Sequence, residues 1–112
     1  MADCLFCRIV AGEVPSRRAY EDDRVVAFHD VSPKAPLHVL VVPRSHVTSV
    51  AAIDDESLLG HIVAVAARIA KEQGYGERGF RLVANAGPDA GMSVPHLHFH
   101  VLAGRPLGWP PG

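Results

Sequence analysis

The segment His96-Leu97-His98-Phe99-His100-Val101 constrains the fold more than any other part of the chain. Polar and apolar residues alternate in it, as they do when the side chains of a β-strand point to opposite faces of a sheet. The pattern predicts a strand from His96 to Ala103 with three histidines on one face and the apolar residues in the core. Imidazoles can attack phosphorus, hold a phosphate oxygen or move a proton at neutral pH, so three on one strand indicate a reactive site.

Two other interpretations of these histidines stay open at this point. They could form a solvated polar face, although Thr, Lys or Ser would serve there equally well. They could also be metal ligands of a zinc hydrolase or hydratase, because His-x-His on a strand is a zinc-binding arrangement.

The loop before the histidines, Gly87-Pro88-Asp89-Ala90-Gly91-Met92-Ser93-Val94, adds to the reactive interpretation. Glycines let the backbone approach a ligand, and exposed N–H groups beside Ser93 can hold phosphate oxygens. A Gly-Pro-Asp loop alone is usually only a turn. Its position directly before three histidines makes a phosphate loop the better interpretation.

The rest of the chain predicts an α+β domain. We expect a short helix from Cys4 to Val10, a hairpin from Ala19 to Asp30 with its second arm at Val25 to Phe28, and a central strand from Leu37 to Val42. After the long helix described next, a further strand is expected from Phe80 to Asn85. This order predicts a five-stranded, mainly antiparallel sheet covered on one face by the long helix.

One long helix is predicted between Asp54 as N-cap and Gly74 at the C′ position. Asp55 and Glu56 suit its first turn. Its apolar face is formed by residues that recur at helical spacing, namely Leu58, Ile62, Val65 and Ile69.

Length and charge limit the function classes. The chain has 112 residues and a formal net charge of −1, which predicts one domain, 1–112, with 104–112 as a C-terminal tail. Without a basic excess, general nucleic-acid or membrane-surface binding is not expected. No 18-residue apolar run or signal peptide is visible, so we expect a cytoplasmic protein.

The residues from Gly91 through Val101 resemble the signature of the histidine triad (HIT) family and the phosphate loop that precedes it. Other segments are similar to its nucleotide-binding Hint branch: Phe28 to Pro33, Ala35 to His38, Asp55 to His61 and Gly108 to Gly112. The resemblance covers nearly the whole chain. It implies the HIT fold and a homodimer whose two sheets join into one ten-stranded sheet.

The resemblance also implies an activity, the hydrolysis of AMP- or GMP-linked phosphoramidates and acyl adenylates. His98 would be the nucleophile that forms a nucleotidyl-histidine intermediate, without any cofactor in catalysis. His100 and Ser93 would contact the phosphate and the leaving-group side, and His38 would lie on the neighbouring strand within reach of His98. A dinucleoside polyphosphate hydrolase, or an AMP/GMP-binding module with little turnover, is the alternative.

Further residues match nucleotide-binding positions of the family. Asp30 is similar to the carboxylate that accepts both ribose hydroxyls, and Asn85, Gly91 and Val94 fall at the phosphate. Trp109 would flank the cleft of the neighbouring subunit. The base cleft is implied to consist of Phe6, Ile9, Val14, Phe28, His29, Val31 and Leu40.

Two positions depart from the Hint pattern. Met92 stands where the family usually has a polar Gln, so a hydrogen bond from that position is lost. Pro95, directly before the triad, also occurs in the branch that hydrolyses dinucleoside polyphosphates. Ser93, the Ser-Pro-x-Ala-Pro turn and the Trp-Pro-Pro-Gly ending favour the Hint branch.

The two cysteines, Cys4 and Cys7, form a C-x-x-C pair that suits tetrahedral zinc. Two reduced thiols on a short helix are the alternative, and a redox pair would need a thioredoxin-like context that is absent. The pair resembles a bacterial HIT subset, which implies a structural zinc site of Cys4, Cys7, His46 and His96. His61, on the long helix, is expected at an interface or on the surface.

Overall fold

The computed structural model describes residues 3–112. A five-stranded antiparallel sheet with the order β1-β2-β3-β5-β4 carries one helix on each face. The elements follow in chain order as α1 (Leu5–Val10), β1 (Arg18–Glu21), β2 (Val25–His29), β3 (Leu37–Pro43), α2 (Glu56–Glu72), β4 (Phe80–Val83) and β5 (Phe99–Ala103). The predicted α+β class and the order of elements are confirmed.

The central strand β3 is buried over its whole length because both faces of the sheet are covered. Val39 and Val41 face the core under α2, whereas Leu40 and Val42 face a second core under α1. A strand covered on both faces needs apolar residues at successive positions, and the run from Leu37 to Val42 supplies them.

Helix α2 packs its predicted apolar face on the sheet, where Leu58, Ile62, Val65 and Ile69 are buried. The predicted N-cap, Asp54, is wrong by one residue. Asp55 has the extended backbone of a cap, and its Oδ1 accepts from the backbone N–H of Leu58 at 3.0 Å. Gly74 follows the helix with φ +92°, a conformation that favours glycine.

The opposite face of the sheet carries α1, which begins after the N-cap Cys4. Phe6 and Ile9 on this helix pack against Phe28, Leu40 and neighbouring residues of the sheet. Because α1 has only six residues, it covers part of this face. The remainder of the face forms the wall of a cleft.

The triad strand is shorter than predicted, since β5 begins at Phe99 rather than at His96. The N–H of His96 bonds to the carbonyl of Val94, two residues back, and the N–H of Leu97 bonds to Val47 in a loop. These bonds replace ladder bonds to β3. The alternation of faces nevertheless persists, because Leu97 and Val101 both enter the core under α2.

The edge strand β4 also ends early, at Val83 rather than Asn85. Its partner β5 begins at Phe99, and the pair Val83 and His100 is the last in the register, so little of β5 is left to pair with later residues. The tail beyond Ala103 adds no strand, and the Arg81 guanidinium donates to the carbonyl of Gly108. Within residues 3–112, no helix is long and apolar enough to cross a membrane.

Candidate active site

A cleft of about 340 Å³ lies between α1 and the uncovered part of the sheet. Twelve of the residues with predicted nucleotide roles line it: Phe6, Ile9, Val14, Phe28, His29, Asp30, Val31, Leu40, Ser93, Val94, His98 and His100. Asn85, Gly91 and Trp109 do not, and Trp109 is 83% exposed. The structure therefore gathers residues from α1, β2, β3, β5 and the loop before β5 around one space.

Three lining residues, Leu5, Pro15 and Ser16, are missing from the prediction. Leu5 precedes Phe6 on α1 and is 43% exposed, so the helical pattern of the sequence does not distinguish it from an ordinary surface residue. Pro15 and Ser16 lie in the loop between α1 and β1, where no periodic pattern marks a face.

The orientation of His98 is set by the backbone. Its Nδ1 lies 2.7 Å from the carbonyl oxygen of His96. A carbonyl can only accept, so Nδ1 carries the proton and Nε2 keeps a lone pair. Nε2 makes no hydrogen bond within the described part of the chain, and no side-chain nitrogen or oxygen there is both buried and unpaired. His98 thus offers the cleft a nucleophilic nitrogen.

The ring of His98 is also held by packing. It is almost fully buried, and the Phe6 ring stands perpendicular to it with the centroids 5.0 Å apart. The His100 ring lies on another side, at 5.1 Å between centroids. Contacts of this kind restrict rotation, so the lone pair keeps one direction.

A chain of hydrogen bonds fixes the tautomers of His38 and His100. The backbone N–H of Lys34 donates to His38 Nδ1 at 3.0 Å, so the proton of neutral His38 is on Nε2. That Nε2 donates to His100 Nδ1 at 2.9 Å. His100 therefore keeps its own proton on Nε2, as a donor for a ligand in the cleft. His38 contacts His100 directly and stands behind it rather than lining the cleft.

Both of these histidines are neutral at pH 7. Burial, together with the positive charge that His98 and His38 can carry, lowers the pKa of His100 to about 4. Burial also lowers the pKa of His38, although the Asp30 carboxylate, 3.4 Å from its Nε2, acts in the opposite direction. The effect of burial on the pKa of His38 is larger than that of the carboxylate. His38 and His100 therefore donate hydrogen bonds without adding positive charge.

Asp30 directly follows β2, at the mouth of the cleft. Its Oδ1 accepts from the backbone N–H of Ser32 at 2.8 Å, which holds the carboxylate in place. The side chain is about one-fifth exposed, so it can still accept hydrogen bonds from a ligand. A fixed carboxylate beside an apolar cleft suits a pair of neighbouring hydroxyl groups.

The loop before the triad is a closed turn. Residues Pro88–Ala90 form a single 3-10 turn, and Met92 N–H bonds back to the carbonyl of Gly87. Gly87 and Gly91 have φ values of +87° and +82°, which other residues rarely adopt. The chain leaves this turn toward the cleft, so Ser93 and Val94 line it although Gly91 does not.

A second cluster, formed by Cys4, Cys7, His46 and His96, lies beside the cleft. Cys4 Sγ is 3.3 Å from His96 Nδ1, and Cys7 Sγ is 3.2 Å from His46 Nδ1. The two Nδ1 atoms are 3.3 Å apart. Both cysteines are free thiols, so the four predicted zinc ligands do come together.

The geometry of this cluster fits a tetrahedral metal ion. Bonds of about 2.3 Å to sulfur and 2.0–2.1 Å to nitrogen would place two nitrogens about 3.3 Å apart, and a nitrogen and a sulfur about 3.6 Å apart. His96 Nε2 donates to the carbonyl of Pro43 at 3.0 Å, which leaves Nδ1 with the lone pair that a ligand needs. Burial lowers the pKa of His96, which keeps it neutral. The four residues can hold a metal.

His61 lies outside both groups. Its Nε2 is 2.6 Å from Asp22 Oδ2, which also accepts from the Tyr20 hydroxyl. Burial raises the pKa of the Asp22 carboxyl, but hydrogen bonds from Tyr20, His61 and two backbone N–H groups lower it by a larger amount. The net pKa lies well below the usual range of a carboxyl group. This half-buried pair ties α2 to the turn between β1 and β2.

Comparison with known proteins places this architecture in a family. The family model described as the HIT domain matches residues 11–107. An uncharacterized HIT-like protein of Synechocystis is 45% identical over 98% of this chain and 97% of its own length.

Two solved structures are similar throughout. A HIT family hydrolase from Legionella pneumophila has a TM-score of 0.95 and 40% identity, covering 98% of this chain and all of its own. A histidine triad protein from Clostridium difficile has a TM-score of 0.92 and 49% identity, covering 96% of each chain. With this fold, these histidines and relatives of this similarity, the chain belongs to the HIT domain family.

Proposed function

We propose that the protein is a hydrolase that releases a purine nucleoside monophosphate from phosphoramidates or acyl adenylates, with His98 as the nucleophile. The observation that carries the proposal is the 2.7 Å contact between His98 Nδ1 and the His96 carbonyl. That contact keeps a lone pair on Nε2 beside a nucleotide-sized cleft. The similar proteins from Legionella pneumophila and Clostridium thermocellum are both named HIT family hydrolases, which supports hydrolysis in general.

The cleft suggests how a nucleotide would lie. Its inner walls are apolar, with Phe6, Phe28 and Leu40 suited to a flat base. Asp30 would accept from the two ribose hydroxyls. The α-phosphate would then lie among His98, His100 and Ser93, which line the same cleft.

The chemistry divides into two steps. In the first, the Nε2 lone pair of His98 forms a bond to phosphorus while the bond from phosphorus to the leaving nitrogen breaks. The leaving nitrogen gains a proton, which the Ser93 hydroxyl relays from water, and the hydroxide left behind takes up the proton that the second step releases. An acyl adenylate instead loses a carboxylate oxygen, which needs no proton. In the second, a water oxygen attacks phosphorus, the bond to His98 breaks and the proton of the water is released. Covalent catalysis of this kind replaces one difficult step by two easier ones.

His100 has a supporting role in both steps. Its Nε2–H, fixed by the hydrogen bond that Nδ1 accepts from His38, would donate to a phosphoryl oxygen where negative charge develops. Among residues 3–112, no Lys or Arg lines the cleft. Neutral donors therefore carry the stabilisation of the phosphoryl group.

The Cys4, Cys7, His46 and His96 cluster would bind zinc in a structural role. A closed set of two thiolates and two imidazoles leaves no position for water, which is typical of structural sites. Bound zinc would stabilise the fold by linking α1 to the segment before β5. His96 would thus be a ligand rather than part of the reaction.

The direct test is turnover of adenosine 5′-phosphoramidate by the purified protein, with AMP and ammonia measured in equal amounts. We expect turnover without added metal. AMP binding without turnover would contradict the proposal and favour a binding module. Turnover of diadenosine polyphosphates alone would favour the other hydrolase branch.

We also propose that the protein forms a homodimer through β4. This strand is an edge of the sheet, and an unpaired edge is a template for another strand. Pairing of two β4 strands would join the sheets into one of ten strands and bring the Trp109 tail near the cleft of the partner. Sedimentation velocity at micromolar concentration should give a dimer mass, and a monomer mass would contradict this proposal.

A further inference from the structure

A second cavity, of about 430 Å³, lies directly beside the nucleotide cleft. The two spaces share Leu5, Ser93 and Val94, and the second cavity is otherwise lined by Asp3, Cys4, His46 and Pro95. None of the sheet residues that line the base end of the cleft belongs to it. The shared residues Ser93 and Val94 place the second cavity next to the end of the cleft where the phosphate would lie.

The walls of this cavity have a definite chemistry. Leu5, Val94 and Pro95 are apolar, and Leu5 exposes 43% of its surface. Asp3 is exposed and is the one Asp or Glu among the described residues that line the cavity, which include no Lys or Arg. A chain of several phosphates carries more negative charge than a single phosphoryl group and is usually bound by arginine or lysine side chains. This cavity would repel such a chain.

We propose that this cavity is the leaving-group subsite of the hydrolase, and that it selects amines with an apolar body and a positive charge over anionic groups. The inference rests on the proposed function, because it needs the α-phosphate beside Ser93. A group bonded to that phosphate and pointing away from the base would enter the cavity. Its volume is within the range of pockets that hold small organic ligands.

The test compares three adenosine 5′-phosphoramidates of equal length. Their leaving amines end in an ammonium, a methyl or a carboxylate group, and kcat/KM is measured for each. We expect the order ammonium, methyl, carboxylate, with about tenfold between the first and the last, since exposed charges contribute severalfold each. The dissociation constant of AMP is measured alongside, because AMP does not enter the second cavity.

Charge reversal at the mouth of the cavity separates the subsite from intrinsic differences among the amines. Asp3→Lys should reduce the ratio of ammonium to carboxylate substrate at least fivefold and leave AMP affinity unchanged. Glu77→Lys is the matched control, since Glu77 is an exposed carboxylate in the segment after α2 and lines neither cavity. It should leave the ratio as in the wild type.

The outcomes distinguish the two proposals. If all three substrates are turned over, but Asp3→Lys and Glu77→Lys change the ratio of ammonium to carboxylate substrate equally, the proposed subsite is wrong. The proposed hydrolase activity would still hold. A wild-type preference for the carboxylate substrate would lead to the same two conclusions. Absence of turnover on every substrate, with AMP still bound, would overturn both.

Discussion

His96 and His98 are two residues apart, yet they lie in regions with different chemistry. Each ring donates one hydrogen bond to a backbone carbonyl, His96 from Nε2 to Pro43 and His98 from Nδ1 to His96. The other ring nitrogen, which keeps the lone pair, has different surroundings in the two residues. Nδ1 of His96 faces two thiols and His46, whereas Nε2 of His98 belongs to a ring that lines the cleft.

The carbonyl partner, rather than the residue type, therefore determines the role of each histidine. A hydrogen bond to one nitrogen fixes the tautomer and so decides where the lone pair points. In the metal-binding region that lone pair is enclosed, since His96 is 0% exposed. In the cleft it is presented to a ligand. Variants in the two regions should therefore lose different properties.

The largest expected effect is on turnover. His98→Ala should reduce kcat by at least about 10³-fold, because the covalent route disappears, while the melting temperature and AMP affinity change little. His96→Ala should instead lower the melting temperature and change kcat per folded molecule little. Turnover of His98→Ala within tenfold of the wild type, in a sample free of contaminating enzyme, would remove the distinction between the two histidines.

A smaller effect is expected for Asp30→Asn, within the cleft region. A carboxylate that accepts from ribose hydroxyls contributes about 1.5–3 kcal/mol for each charged hydrogen bond, so AMP should bind about 10- to 100-fold more weakly by calorimetry. The loss should be much smaller for 2′,3′-dideoxy-AMP and absent for inorganic phosphate. Equal losses for all three ligands would mean that Asp30 does not contact the ribose.

The metal-binding region is tested by Cys4→Ser combined with Cys7→Ser. The wild type, kept reduced, should contain close to one zinc per chain, and the double variant none. Losing about 2 kcal/mol or more of stabilisation should lower the melting temperature by roughly 10 °C for a domain of this size. Turnover per folded molecule should stay within about threefold. If the wild type contains no zinc and the double variant melts at the same temperature as the wild type, only the reduced-thiol interpretation remains.

The last effect concerns pH and separates His100 from the metal ligands. The folded pKa of His100 is about 4, below the ordinary value of 6.5. As pH falls from 6.5 toward 4, the unfolded chain takes up a proton that folded His100 does not, so stability falls. The slope from one such group is at most about 1.4 kcal/mol per pH unit.

His100→Gln should therefore flatten the pH dependence of the free energy of unfolding in this window, relative to the wild type, in urea titrations at pH 6.5, 5.5 and 4.5. The two proteins share every other side chain, so the contributions of the other groups cancel in the difference. Parallel curves would mean that His100 is not kept neutral by burial.

Much of the fold could be predicted because its signals are local. The apolar spacing of Leu58, Ile62, Val65 and Ile69 predicts the buried face of α2, and the run from Leu37 to Val42 predicts a central strand. That this strand is covered on both faces is seen only in the structure. The start of β5 could not be predicted, because the alternation of polar and apolar residues continues through His96. What ends the ladder is a pair of backbone bonds, from His96 to Val94 and from Leu97 to Val47.

The sequence predicts which residues form the site better than it predicts how their side chains are oriented. The resemblance brings twelve cleft residues together, as well as the four residues of the metal cluster. It does not reveal that Lys34 fixes the tautomer of His38 through a backbone N–H, since main-chain groups leave no mark in a sequence. Trp109, implied at the cleft of a neighbouring subunit, does not line the cleft of its own chain.

The proposed activity depends on attack of the His98 lone pair on phosphorus. The most direct measurement is rapid acid quench of the enzyme with an adenosine phosphoramidate, followed by intact mass and peptide mapping. We expect a transient adduct with the mass of adenylate on the peptide that contains His98, formed at least as fast as AMP is released. Full turnover of the substrate with no adduct on His98 at any time, or with the adduct on His96 or His100, would contradict it.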